Sequence, residues 1–344
     1  MSLQSLFRYP IIQAAMAGGS NTPQLVAAVS NAGGLGSFAG SLLSPSGIAA
    51  QVAEIRSLTD KPFLINLFVQ PMPSPPGELI EAGKALLEPV RQRMGLDALP
   101  TPAKWCEDFA AQFELLFALR PAAASFTFDI ISADDVQRLH LAGISVIGMS
   151  TTVEEALAWE KAGADAVIAS GTEAGGHRGT FIGPQEEAVM TSAELWPAVI
   201  RAVGIPVIAA GGIMDGRDIR RALEMGAAAA QLGTAFLACD ESGISAAYKG
   251  RLKLAEGQPT RLTRAISGRY ARGIENEFMR LMAPVEKQVP PYPIQNALTT
   301  SIRAAAAAVN DTEMMSLWAG AGVSRTRAMP AARLMETLIN EMRD

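Results

Sequence analysis

The chain has two cysteines in 344 residues, Cys106 and Cys239, too few and too far apart for a disulfide framework or a zinc ribbon. A reducing compartment suits such a chain, and the cytoplasm is the expected location. Histidine is equally scarce: only His140 and His177 occur, there is no His-Glu-x-x-His pattern, and no bound metal is expected. Charged residues make up 18% of the chain with a net charge of -5, and the lysines and arginines are scattered. Nucleic acid and anionic membranes are therefore not expected partners. No uninterrupted apolar run reaches the roughly 18 residues that cross a bilayer, and Met1 to Gln13 has no basic segment leading into an apolar one. Neither a Gly-x-Ser-x-Gly elbow nor a Walker phosphate loop is present, which argues against serine hydrolase chemistry and nucleotide hydrolysis. What the chain does have is a 49% hydrophobic content, enough to bury a large core.

That hydrophobic content is arranged in a recurring unit, an amphipathic helix, a glycine, then a short apolar strand. It runs from Asp134 to Met149 around Gly143, from Thr152 to Ala169 around Gly163, from Ala193 to Ala209 around Gly204, and from Asp215 to Leu232 around Gly226. Each glycine can take the left-handed conformation that closes a helix, and continuous apolar strands belong in parallel sheets covered on both faces. Earlier strands are legible at Ile11 to Ala15, Leu35 to Phe38, Phe63 to Leu67 and Ala123 to Phe128. Eight parallel strands with intervening helices predict a (β/α)8 TIM barrel. The Gly34-Leu35-Gly36 cluster follows a helix instead of opening one, so it reads as turn and packing, not as a dinucleotide fingerprint. The barrel is expected over residues 1–238 with a helical insertion at about 70–120. Residues 239–344 are expected to form a helical lid and C-terminal segment.

Two glycine turns follow the last two barrel strands. Ala210-Gly211-Gly212 precedes a helix starting near Asp215, and Gly233-Thr234 follows Leu232. Backbone N–H groups unobstructed by a Cβ, a helix N-terminus and the Thr234 hydroxyl could together bind one phosphate, at the place where barrels commonly do so. The loop Ser170 to Gly179 carries His177 among glycines, Gly175 and Gly176 included, that would let a flat ring or a phosphate come close. Glu173 and Arg178 in the same loop read equally well as a salt bridge bracing it. His140 lies at helical spacing from Val136 and reads as structural. The small-residue turn after Gln13, with Ala15 and Met16, suits a planar ring, and Asn66, closing the third strand, suits its polar edge or caps the strand. With metal and nucleotide hydrolysis set aside, a phosphate-bearing organic cofactor remains.

Together these segments resemble the nitronate monooxygenases, which are FMN-dependent barrels. The matching stretches are Pro10 to Gly19, Ser30 to Gly36, Glu173 to Gly179, Pro206 to Gly212, Gln231 to Thr234, Tyr292 to Thr299 and Trp318 to Gly320. The resemblance implies that Met16 and Asn66 contact the isoalloxazine and that Gly176, Gly211, Gly212, Gly233 and Thr234 hold the FMN phosphate. Ala15, Gly175 and Gln231 complete the expected cofactor set, and His177 becomes the catalytic histidine, abstracting the proton of a neutral nitroalkane or orienting a nitronate beside the flavin. The implied reaction is oxidation of alkyl nitronates, or of nitroalkanes, by O2 to carbonyl compounds and nitrite. Related flavin barrels share parts of the His177 loop, so an NAD(P)H-dependent FMN reductase of quinones or enoyl thioesters is the alternative. A barrel that binds flavin without turnover is a third. The chain departs from the family pattern at Thr127, where a histidine is common, at Ala15, in place of a proline, and at Ala321, where glutamine is usual. The sequence fixes no oligomeric state.

Overall fold

A computed structural model describes residues 3–254 and 260–343. The strands β2 (Gly36–Ala39), β3 (Phe63–Phe68), β4 (Ala123–Thr127), β5 (Ser145–Ser150), β6 (Ala166–Ser170), β8 (Val207–Ala210) and β9 (Ala229–Leu232) pair in parallel, each with its neighbour in this order, and β9 pairs with β1 (Ile11–Gln13), which leaves β1 and β2 as the two ends of the sheet. Closure is completed where the Gln13 N–H donates to the Leu35 carbonyl and the Leu35 N–H to the Ile11 carbonyl, both at 3.0 Å. The result is a (β/α)8 barrel. A second sheet joins the short β7 (Gly176–His177) to β11 (Ala271–Ile274) and β10 (Thr260–Thr263), all antiparallel.

Side chains alternate along the strands, as the pleat demands. Ile11, Ile65, Val146, Val167 and Val207 face the helical ring, while Ile12, Leu64, Ile147, Ile168 and Ile208 fill the barrel interior together with Leu3 and Leu6. Two residues further along the same inward rows the character changes: Leu64 gives way to Asn66, Ala123 to Ser125, Ile168 to Ser170 and Ala229 to Gln231. The C-terminal mouth is thus polar where the interior beneath it is aliphatic.

Gly143, Gly163 and Gly226 close their helices at φ of 79°, 95° and 102°. Gly204 departs from the expected pattern. Its helix ends at Val203 in extended backbone, and the Gly204 N–H donates to the Glu160 carboxylate at 2.6 Å. The Gly34 to Gly36 cluster packs as expected, since a Cβ on Gly36 would lie 2.2 Å from the Val26 carbonyl oxygen.

The insertion forms helices Gly77–Leu86, Glu88–Arg93 and Phe109–Leu119. The third lies on the barrel through Phe113 and Leu116, whereas Leu87, Val90 and Leu99 join Phe278, Met282, Ile294, Leu298 and Ile302 of the C-terminal part in a separate core. The chain beyond 239 divides between two places. The last helix, Ala331–Arg343, expected with the lid, packs instead on helices Gly216–Glu224 and Pro23–Asn31 and buries Leu334, Met335, Leu338 and Ile339 in the outer barrel core. It occupies the gap between the helix after β8 and the helix after β1. Its amphipathic pattern fits that place as well as a lid, so sequence alone could not choose.

Candidate active site

A cavity of about 450 Å3 opens at the polar mouth, between the barrel and the C-terminal part. Ala15, Met16, Asn66, Gly175, Gly176, His177, Gly211, Gly212, Gln231, Gly233 and Thr234 all line it. On one side lies a cradle of glycines. Gly176, Gly211 and Gly212 adopt φ of 76°, 111° and 76°, where a side chain would be strained. A Cβ on Gly175 would lie 2.5 Å from the Gly320 nitrogen, and one on Gly320 would lie 2.6 Å from the Glu173 oxygen. The Gly320 N–H donates to Thr234 Oγ1 at 2.9 Å, which leaves the Thr234 hydroxyl proton for another acceptor.

Helix dipoles contribute less to this cradle than the sequence suggests. Asp215 caps the helix Gly216–Glu224 with its own carboxylate, accepting from the Asp218 N–H at 2.9 Å, and the helix after Gly233 is only four residues long. What the cradle presents to a ligand is therefore backbone N–H groups, the close approach that glycine permits, and the Thr234 hydroxyl.

The loop that carries His177 is braced by its charged neighbours, though not through a pair between them. Glu173 accepts from Ser192 N and Oγ, each at 2.8 Å. Buried Arg178 donates to the carbonyls of Ser170, Gly171 and Ala188, each at 2.8 Å. The second half of the bend, which has no strand pattern of its own, is β7. It is two residues long and exists only because Ala271 and Arg272 of β11 pair with His177 and Gly176.

His177 sits among aromatic rings, with centroids at 5.7 Å for Phe128, 5.5 Å for Tyr292 and 5.3 Å for Trp318. Burial, reinforced by the cations of Arg269 and Arg303, pushes its pKa down to about 3, so the imidazole is neutral at ordinary pH. Its Nε2 lies 2.8 Å from Ser267 Oγ, and Ser267 Oγ lies 3.0 Å from the Arg269 carbonyl oxygen. The serine proton goes to that carbonyl, because a carbonyl can only accept. The imidazole then donates from Nε2 and keeps Nδ1 as the basic nitrogen. Phe128 holds φ of 84° at the end of β4, with the Arg269 guanidinium 4.2 Å from its ring centroid.

Asn66 lies inside β3, which runs on to Phe68, and it is not a cap on the strand end. Its Nδ2 donates to Ser125 Oγ at 2.9 Å and Thr127 Oγ1 at 3.2 Å, so Thr127 helps to orient the amide. His140 bonds Asp165 at 2.9 Å on the barrel's outer surface, in keeping with a structural role. Asn296 lies in the matching stretch Tyr292 to Thr299, whereas Ser267, Arg269 and Arg303 reach the site region from far along the chain and carry no motif; for Arg303 a faint signal is its place two helical turns after Asn296.

The chain matches the family model described as nitronate monooxygenase over residues 2–341. It belongs to the nitronate monooxygenase family. A probable nitronate monooxygenase of Staphylococcus aureus (strain Newman) is 40% identical over 97% of this chain and 94% of its own length. Among solved structures, nitroalkane oxidase from Streptomyces ansochromogenes superimposes with a TM-score of 0.92 at 41% identity, covering 99% of this chain and 97% of that one. FabK from Thermotoga maritima gives a TM-score of 0.76 at 29% identity over 98% and 93% of the two chains. Membership makes this nitronate monooxygenase relative a flavin-dependent oxidoreductase acting on a small molecule. Among the described residues no helix is long and apolar enough to cross a membrane.

Proposed function

We propose that this nitronate monooxygenase family member binds FMN and oxidises alkyl nitronates with O2 to carbonyl compounds and nitrite. The observation that carries the reading is the joining, in one cavity, of a glycine cradle suited to a phosphate and a neutral histidine. The cradle fits the terminal phosphate of FMN. A side chain at Gly175 or Gly320 would collide with the facing backbone that shapes it, and the Thr234 hydroxyl keeps its proton to donate. Gly176, Gly211, Gly212 and Gly233 would hold the phosphate with Thr234. Ala15, Met16, Asn66 and Gln231, together with Gly175, would lie along the ring and ribityl chain.

FMN, held by these residues, would supply the redox chemistry between the nitronate and O2. The protein's own part is placement, electrostatics and exclusion of bulk water. His177 acts from Nδ1, orienting the nitronate or accepting the α-proton of a neutral nitroalkane. Phe128, Tyr292 and Trp318 wall off the reacting carbon. A base whose conjugate acid has a pKa of about 3 is a poor proton acceptor, so preformed nitronates are the better substrates.

Purified protein should be yellow, and heat should release FMN identifiable by chromatography. Anaerobic mixing with ethyl nitronate should bleach the flavin, and a spectrum left unchanged by the nitronate overturns the reading. The likeness to FabK motivates a second reading, an NAD(P)H-dependent FMN reductase of quinones or enoyl thioesters. Rapid anaerobic bleaching by NADH or NADPH, with none by nitronate, would establish it instead.

A further inference from the structure

Arg303 lies in the helix Thr300–Ala308 and lines the same cavity as His177. Its Nη2 donates to the Asn296 carbonyl at 2.8 Å, to Asn296 Oδ1 at 3.1 Å and to Thr300 Oγ1 at 3.3 Å, and its Nε to Thr299 Oγ1 at 3.3 Å. Every one of these acceptors is uncharged. Among the described residues the Arg303 guanidinium forms no salt bridge, and its hydrogen bonds run from Nε and Nη2, with none seen from Nη1. A half-buried guanidinium that lines a cavity and has no counter-charge is suited to pair with an anion that arrives from outside.

We propose that Arg303 recognises the anionic oxygens of the substrate and makes the cavity selective for planar oxyanions over their neutral, protonated forms. The inference deepens the nitronate reading above and rests on it for the identity of the anion. The guanidinium suits the task because its planar fork matches an O–N–O group, and because Asn296, Thr299 and Thr300 hold it in place before substrate arrives. Arg269, the other cation near His177, is committed elsewhere. Its Nε donates to the Arg178 carbonyl at 2.8 Å, its Nη2 to the Thr180 carbonyl, and its face lies on Phe128. Arg269 braces the His177 loop, and Arg303 is the guanidinium that reaches the cavity.

The test uses flavin-loaded enzyme and nitrate, a planar oxyanion that does not react. Nitrate is titrated against the flavin absorbance of wild type and of Arg303→Met, and KM and kcat are measured with ethyl nitronate and with nitroethane. A charge-assisted hydrogen bond is worth about tenfold or more in affinity. Arg303→Met should therefore raise the nitrate Kd and the ethyl nitronate KM by about tenfold or more, with smaller changes in kcat and in the nitroethane KM. Arg303→Lys should recover part of the loss. An unchanged nitrate Kd and nitronate KM in Arg303→Met with full flavin content would overturn the proposal. Should that variant not fold, Arg303→Gln is judged by the same two readouts. Wild type that binds nitrate through Arg303 but leaves ethyl nitronate untouched would sink the oxidation reading and keep the oxyanion site.

Discussion

His177 donates its Nε2 hydrogen to Ser267 Oγ across 2.8 Å, while Ser267 hands its own proton to the Arg269 carbonyl at 3.0 Å. Ser267 is fully buried, and its loop is held by Gln295, which donates to the Ala265 carbonyl, and by Thr299, which donates to the Ile266 carbonyl, each at 2.8 Å. A chain of neutral hydrogen bonds thus runs from the C-terminal helices to the imidazole and sets which nitrogen carries the lone pair.

Replacing Ser267 by alanine should leave flavin content unchanged and lower kcat by about three- to tenfold, the worth of one neutral hydrogen bond, while free rotation of the ring alters the pH profile of kcat. Steady-state kinetics across pH on the flavin-loaded variant checks this. An identical profile and kcat would show that the serine does not position the ring.

His177→Asn should retain FMN yet lose turnover of neutral nitroalkanes by about tenfold, below the usual range of general-base catalysis because the imidazole is weakly basic. Turnover of preformed nitronates should fall much less. Parallel assays with nitroethane and ethyl nitronate decide it, because equal losses on both would remove the base role.

Gly175→Ala should abolish or severely weaken flavin binding, since the new methyl would sit 2.5 Å from the Gly320 nitrogen and 2.7 Å from the Ala319 carbonyl carbon, both backbone atoms. The ratio of flavin to protein absorbance after purification, and titration of flavin-free protein with FMN, report it. A normal ratio would mean that Gly320 can retreat and the cradle is looser than its geometry.

Acid should destabilise the fold through His177. Its folded-state pKa of about 3 lies below the ordinary 6.5, so between these values the unfolded chain binds the extra proton and stability rises with pH. The contribution is fully present above about 6.5 and is lost progressively as pH falls toward 3. Thermal midpoints of His177→Asn measured from pH 7 to pH 4 should accordingly decline less steeply than those of wild type. Matching slopes would show the imidazole to be more hydrated than its surroundings indicate.

Much of the barrel is legible in the residues because a parallel sheet under helices needs little beyond local signals: an amphipathic helix, a glycine such as Gly163 or Gly226, and an apolar strand. Gly204 shows the limit, since its role is decided by a partner, Glu160, from a different unit. The glycines of the candidate site stand out because close backbone approach leaves a trace in composition. Ser267 leaves none and Arg303 little beyond its spacing from Asn296, as an arginine or a serine is ordinary anywhere, and only the fold brings both to one cavity wall or its backing. The strand character of Gly176 and His177 is likewise invisible locally, because β11 supplies it from about a hundred residues away. The last helix was ambiguous for a related reason: its apolar stripe says that it is buried, not against what.

The return of Ala331–Arg343 to the barrel has a mechanical result for the segment between β9 and that helix. Tethered at both ends to the same rigid body, it cannot swing away as a free flap. The four apolar anchors Leu334, Met335, Leu338 and Ile339, each contributing about 2 kcal/mol, hold its far end to the barrel. A chain cut short before Pro330 would not merely lose a tail; it would leave one stave of the outer wall missing and the floor beneath Gly34 and Gly216 open to water.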